Sequence, residues 1–285
     1  VFGAAAVFAA AGAAEQSGPV AIVYDMSANA RAMETRSQRL LKPFDWLKEG
    51  DEVRADLGQR GATEPVIAIN FDDGAVESFR LQQTTIVRIR SRIQRRSLGA
   101  AWIDYVAAWL GGGEARRANA VTRGDGTMLA LRIPGLQSGA ARVASGPRQL
   151  QIGWVGGTQP FRVSLREEAT GRELFHATVQ ANRSPPTPVV MLIPGARYAW
   201  YVQDSYSTRT ARFTAVDRSQ LPSVPTNDFA PWVSPDIKDT LRAMRLAHLD
   251  QNQASYEAWL SLMPLVTRYR PAERVATLLQ EGDVP

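Results

Sequence analysis

The 285-residue sequence has no cysteine and only two histidines, His176 and His248. The first absence excludes thiolate nucleophiles, CxxC redox pairs and cysteine-ligated metal. The second makes a multi-histidine metal centre untenable, because the two imidazoles fall in separate parts of the chain. No Gly-x-Ser-x-Gly elbow occurs, and neither histidine stands near a nucleophile motif. The triple glycine Gly111-Gly112-Gly113 follows a helical pattern rather than a strand, and no Gly-Lys-Ser/Thr comes after it, so it is not a phosphate loop. The adjacent carboxylates Asp72-Asp73 and Glu167-Glu168 read as water-exposed hairpin tips rather than a glycosidase pair. No catalytic residue, cofactor or metal is therefore expected.

Long apolar runs are scarce too. Residues 1–14, VFGAAAVFAAAGAA, are uncharged but too short alone for a membrane span of about 20 residues. Ala-Gly-Ala-Ala before Glu15 fits a signal-peptide cleavage site. The same run fits the outer half of a retained anchor helix, or an alanine-rich helix packed on protein. The first two readings put the remainder outside the cytoplasmic membrane.

What is present points to several β modules. The length suits two or three domains, and 45% hydrophobic content fills an ordinary core for each. The formal charge of +5 is carried mostly by arginine and favours anionic surfaces, though it serves solubility equally well. From Gly18 to Arg96 the pattern is β. Val20, Ile22 and Tyr24 alternate, Val66 to Phe71 is apolar on both sides, and Asp72-Asp73-Gly74 suits a type I′ hairpin turn.

Within this stretch Leu47, Gly50, Asp51 and Val53, then Phe71, Asp73 and Gly74, then Leu81, Thr85 and Val87 follow an ordered pattern. That pattern resembles the FecR-like periplasmic β-domain, over about residues 18–97. The resemblance implies a small β-domain in the cell envelope; the segment 57–65 is longer than the family pattern, and no anti-sigma segment accompanies it.

Ile86 to Arg96 places Arg88, Arg90 and Arg92 on one strand face opposite Val87, Ile89 and Ile93, and Arg95 and Arg96 extend the charge. This is either a solvated edge face or a basic stripe for lipid headgroups or an acidic partner. No aromatic residue interleaves to stack bases, so nucleic acid is not expected. Residues 98–110, LGAAWIDYVAAWL, switch to helical spacing, with Trp102, Val106, Trp109 and Leu110 on one stripe. Such a helix lies in a membrane interface or packs on a β-domain.

Residues 98–145 otherwise read as a connector. Pro147 to Val163 reads as a β-hairpin: Leu150, Ile152 and Trp154 alternate, Gly156-Gly157 and Pro160 turn the chain, and Phe161, Val163 and Leu165 follow. With Pro194-Gly195, Tyr198, Trp200 and Val202 downstream, residues 146–217 resemble a fibronectin type III or immunoglobulin-like β-sandwich, in which Trp154 and Trp200 are core. A proline-rich linker, 218–235, carries Phe229 and Trp232, which suit docking on a neighbour. Ser234-Pro235-Asp236 then starts a helical tail, 236–285, with stripes Ile237, Leu241, Met244 and Tyr256, Trp259, Leu260. One such helical unit cannot bury its own apolar face, so it must lean on the sandwich or on another protein.

The expected fold is mainly β and multidomain: a small FecR-like unit, an immunoglobulin-like sandwich, a short C-terminal helical hairpin and an N-terminal apolar helix, 1–17. The expected role is a non-enzymatic scaffold subunit of a membrane-bound envelope complex, on the periplasmic face of the cytoplasmic membrane. Its partners would be membrane proteins, with 1–14 and 98–110 meeting the membrane. The alternative is a FecR-like envelope sensor of a ligand or peptidoglycan.

Overall fold

The computed structural model describes residues 19–27, 31–56, 66–82, 84–92, 130–136, 141–224, 229–249 and 252–282. The expected N-terminal helix and the 98–110 helix lie outside these residues.

The first unit is built from two four-stranded sheets. One has the order β4-β1-β6-β7, from β1 (Pro19–Met26), β4 (Trp46–Lys48), β6 (Val66–Phe71) and β7 (Val76–Arg80). The other has the order β3-β2-β5-β8, from β2 (Ala32–Glu34), β3 (Arg39–Leu40), β5 (Glu52–Ala55) and β8 (Ile86–Arg88). Ala21, Val23, Leu47, Val53, Ile67, Ile69, Leu81 and Ile89 fill the core between them. The Asp72-Asp73-Gly74 hairpin turn forms, but only Gly74 takes a left-handed φ, 86°. A type I′ turn needs two such residues, so the turn is of another kind.

The second unit is the sandwich. Its larger sheet has the order β12-β11-β14-β15-β9: β12 (Glu173–Val179), β11 (Phe161–Glu167), β14 (Arg197–Gln203), β15 (Thr208–Val216) and β9 (Ala141–Ala144), the last parallel to β15. The facing layer joins β10 (Gly146–Arg148) to β13 (Val190–Leu192). Residues 150–154 extend it: Ile152 O accepts from Ser184 N at 2.9 Å, Leu150 O from Thr187 N at 2.8 Å, and Trp154 N donates to Asn182 O at 3.1 Å. The buried hydroxyls of Ser184 and Thr187 take the N–H groups of Ile152 and Leu150. Tyr198, at the start of β14, accepts from Ile193 N through its hydroxyl at 2.9 Å, the tyrosine-corner arrangement of immunoglobulin-like sandwiches.

Two expectations need correcting. Pro147 to Val163 is not a hairpin, since residues 150–154 and β11 belong to opposite layers. Gly156 and Gly157, both left-handed, carry the chain across, and a Cβ at Gly157 would lie 2.8 Å from the Phe161 ring. A hairpin and an arch share the same apolar alternation, which is why the pattern did not separate them. The sandwich also begins earlier than Gly146, because Leu131, Ile133, Ala141 and Val143 are part of its core.

The tail contains three short helices: α1 (Pro235–His248), α2 (Ser255–Val266) and α3 (Arg270–Glu281). Ser234 caps α1, its hydroxyl accepting from Ile237 N at 3.3 Å. Ile237, Leu241, Met244 and Ala247 form the buried stripe of α1, and Tyr256, Trp259 and Leu260 that of α2. These side chains share one continuous core with the sandwich, and Ile22 and Phe44 of the first unit join it. Gly153 admits α3, because a Cβ there would sit 2.5 Å from the Gln280 side chain. Gln280 Nε2 donates to the carbonyls of Trp154 and Asn182.

Trp154 is fully buried and meets Phe161 edge-on at 5.1 Å. Trp154→Ala is expected to destabilise the protein by about 3–5 kcal/mol, as aromatic deletions in packed cores do. Chemical denaturation followed by circular dichroism measures this; an unchanged midpoint would remove Trp154 from the core-plug role.

Candidate interaction surfaces

The arginine stripe exists, and much of its charge is already met inside the chain. Arg88, Arg90 and Arg92 are all exposed, with Val87 and Ile89 buried between them. Arg88 faces its ladder partner Glu52, with Nε 2.9 Å from Oε1. Exposed pairs of this kind contribute about 0–1 kcal/mol. Arg92 is held more firmly. Its Nη1 and Nη2 both reach the Glu77 carboxylate at 2.8 Å, and its guanidinium lies 3.7 Å above the Phe71 ring. The hydrogen bond from Arg92 holds Glu77 below the usual carboxylate range. Arg90 has no ion pair among the described residues. Arg95, Arg96, Trp102 and Trp109 lie outside the described residues.

Asp72 and Glu167 are not the exposed tips expected of them. Both are buried. Asp72 accepts from Ser91 Oγ at 2.6 Å and from Arg92 N at 2.8 Å, which fastens the end of the arginine segment to the β6–β7 turn. Glu167 accepts from Thr170 Oγ1 at 2.7 Å. Their neighbours Asp73 and Glu168 pair with Arg92 and Arg212 respectively. Each carboxylate thus has its own local structural partner. Among the described residues no group of three or more His, Asp or Glu side chains could hold a metal ion, and no helix is long and apolar enough to cross a membrane.

Phe229 and Trp232 dock on a neighbour within the same chain. Trp232 meets Trp46 of the first unit at 5.7 Å and 73°, and both linker aromatics pack partly buried on the main core. Beside them Asn70 ties the units together: Oδ1 accepts from Ser234 N at 2.8 Å, and Nδ2 reaches Trp232 O at 3.4 Å. Further along the same junction, Tyr24 Oη donates to Asp236 Oδ2 at 2.9 Å, and Tyr269 Oη donates to Tyr24 O at 2.9 Å. Burial, reinforced by the Asp236 carboxylate, pushes Tyr24 up to about 12. Phe44 enters this junction with a left-handed φ of 72°. It occupies the third position of a turn closed by Asp45 N to Lys42 O, with Pro43 before it. Glycine is the usual residue there, and the strain of a bulky side chain is borne because Phe44 is fully buried against Tyr269.

Two surfaces on the sandwich were not foreseen. Val189, Met191 and Ile193 alternate outward from the β13 strand and are each more than half exposed. The apolar run from Pro188 to Ile193 carried that signal, since a strand apolar on both faces has one apolar face outside. The second is a cleft between residues 131–136 and the start of β15, rimmed by Arg132, Arg209 and Arg212. No local pattern betrays it, because its two walls are far apart in sequence.

No protein-family model matches the chain, and no curated protein matches it. Among solved structures it is similar to the ZIG-8–RIG-5 IG1–IG1 heterodimer at a TM-score of 0.21 and 10% identity, over 27% of this chain and 82% of that one. It is similar to the N-terminal four Ig domains of Dscam1 isoform 6.9 at a TM-score of 0.22 and 10% identity, over 70% of this chain and 44% of that one. It is also similar to domains 4 and 5 of the S-layer protein SbsC at a TM-score of 0.22 and 7% identity, over 70% and 98%. The immunoglobulin-like description rests on the strand order and the tyrosine corner, and the FecR resemblance rests on its motif residues.

Trp232→Ala should lower the melting temperature less than Trp154→Ala does, and should speed amide exchange at Ser234, which bonds Asn70; unchanged exchange would deny Trp232 a part in the junction. A pH test probes the same junction. Burial raises Asp25 above its ordinary 3.8, against the Met26 amide and the Arg270 charge. A raised acid stabilises the fold fully below 3.8, and that contribution is lost as pH rises through the folded value. Asp25→Asn should therefore melt at a higher temperature than the native chain at about pH 7, and the gap should close under acid. A gap that persists in acid would contradict this origin.

Proposed function

We propose that the protein is a non-enzymatic scaffold subunit of a membrane-bound envelope complex, held on the periplasmic face of the cytoplasmic membrane. One observation carries the reading: the three-helix tail joins both β units through a shared core, and so leaves outward faces of both units to partners. The arginine stripe, above all Arg90, faces lipid headgroups or an acidic partner protein. The Val189, Met191 and Ile193 face supplies an apolar contact, of the kind that marks interaction sites when several such residues are contiguous. Segments 1–14 and 98–110 meet the membrane, and the partners are membrane proteins of the same assembly.

A second reading, an envelope sensor with a FecR-like first unit, is favoured by the placement of its motif glycines. Gly50 and Gly74 both sit in turns with left-handed φ, 84° and 86°, where only glycine fits without strain. The ligand in that case is a small molecule or peptidoglycan.

Mild detergent extraction from the native membrane should yield the chain in fixed stoichiometry with other proteins. Recovery as a free monomer would count against the scaffold, and a rise in melting temperature with peptidoglycan fragments would favour the sensor. The charge-reversed pair Arg88→Glu with Arg90→Glu should weaken sedimentation with vesicles containing anionic lipid, most at low salt. Equal sedimentation of native and variant chains would reduce the stripe to a solvated strand face.

A further inference from the structure

The two outer faces of the first unit are built alike and used differently. On the β4-β1-β6-β7 sheet, Trp46, Ile22 and Asn70 form a row across three strands, because Ile22 is the register partner of both Trp46 and Asn70. The tail covers that row. Trp232 meets Trp46, Ile22 enters the shared core, and Ser234 N donates to Asn70 at the head of α1. The β3-β2-β5-β8 sheet carries a matching row, Leu40, Met33, Arg54 and Ile86, one residue per strand and in register. Val53 and Val87, next along β5 and β8, lie in the core between the sheets, so the row points outward. Leu40 remains 40% exposed and Ile86 52%.

Arg54 gives this row its chemistry. Its Nη2 donates to Met33 Sδ at 3.7 Å and to Gln38 Oε1 at 3.4 Å, which draws the guanidinium toward the apolar neighbours. Its Nε is buried without a hydrogen-bond partner. Among the described residues no carboxylate pairs with Arg54. The acids on and beside β2 and β5 are engaged elsewhere: Glu52 with Arg88, Asp56 with Arg31, and Glu34 with the Arg36 and Ser37 amides. A half-buried cation with part of its hydration removed and no counter-charge gains more from a carboxylate than a fully solvated one does.

We infer that this face docks an amphipathic helix of a partner protein, with one carboxylate on the apolar side of that helix set against Arg54. Strands lie about 4.8 Å apart, and a helix returns a side chain to the same face about every 5.4 Å, so a helix crossing the sheet meets the row residue by residue. Arginine ringed by apolar side chains recurs as an anchor of protein interfaces. An anionic membrane fits this face less well, because Glu52 stands two positions from Arg54 on the same side of β5. The inference rests on the reading that the chain docks other proteins, and it adds the chemistry of the partner at one face.

The test uses the full chain and a fluorescein-labelled peptide of about 20 residues, long enough to hold a helix in water. One face of the peptide carries Leu, Leu, Glu and Leu on successive turns, with Ala and Gln elsewhere. Fluorescence anisotropy should show saturable binding, weakened about tenfold when the Glu is replaced by Gln. Arg54→Gln should weaken binding of the Glu peptide to the same degree and leave that of the Gln peptide unchanged. Ile86→Ser should weaken both. The substitution on the peptide needs no change to the protein, so the inference stays testable if a variant chain fails to fold. Three results would each overturn it: no saturable binding, equal binding of the Glu and Gln peptides, or undiminished binding of the Glu peptide to an Arg54→Gln chain of native melting temperature. Sedimentation with anionic vesicles that depends on Arg54, without peptide binding, would overturn it in favour of lipid. A failed peptide assay beside extraction in fixed stoichiometry with other proteins would remove this face alone and leave the scaffold reading standing.

Discussion

A single buried oxygen, the hydroxyl of Tyr256, holds the tail against the sandwich. It accepts from Trp200 Nε1 at 2.9 Å and donates to Gln151 O at 2.6 Å, so one atom links α2 to both layers. Burial drives its ionisation far above the ordinary range, so the group stays a neutral donor. A buried donor or acceptor left unmatched costs about 1–3 kcal/mol, and here three groups are matched together. Glu257, the next residue, accepts from Arg148 at 2.6 Å and from Ala144 N at 3.0 Å, which fixes the rotation of the helix about its axis. Trp259 stacks on Tyr256, whose ring meets Phe213 at 5.5 Å and a tilt of 55°, and the apolar face that a short helical unit cannot cover alone is covered by the sandwich.

The junction with the first unit works by different physics. Its contacts are fewer and more polar: the Tyr24–Asp236–Arg268 chain, the Tyr269 bond to the Tyr24 carbonyl, and the Asn70 side chain bridging to the start of α1. β1 is buried on both faces for this reason. Ala21 and Val23 serve the sheet core, while Ile22 turns toward the tail with Phe44. The strained backbone of Phe44 belongs to this arrangement, since a residue held out of its preferred conformation persists only where its surroundings over-determine it.

How much of this was legible depends on the range of the interaction. The sandwich strands, the inward Trp154 and Trp200, the Ser234 cap and the stripes of α1 and α2 are all set by residues within a few positions of each other, and each shows in the sequence. The hairpin assigned to Pro147–Val163 failed because alternation reports which face is buried and not which strand is the partner. Asp72 and Glu167 were misplaced because a carboxylate beside a turn looks exposed until its donors, Ser91 and Thr170, are known. Trp232 showed as an aromatic that needs a partner, but Trp46, far earlier in the chain, could not be named.

The internal contacts also redistribute what is left for partners. Trp232 lies against Trp46, Arg88 and Arg92 are paired with Glu52 and Glu77, and Arg90 alone keeps the stripe's charge unmet among the described residues. The largest apolar exposure lies on the sandwich. Open strand edges invite uncontrolled pairing, and proteins blunt them with proline or charge. Proline is the device here: Pro185, Pro186 and Pro188 lead into β13, whose outward face is apolar. Proline removes main-chain donors and therefore resists any added strand, so the apolar face beside it is left to side-chain contacts.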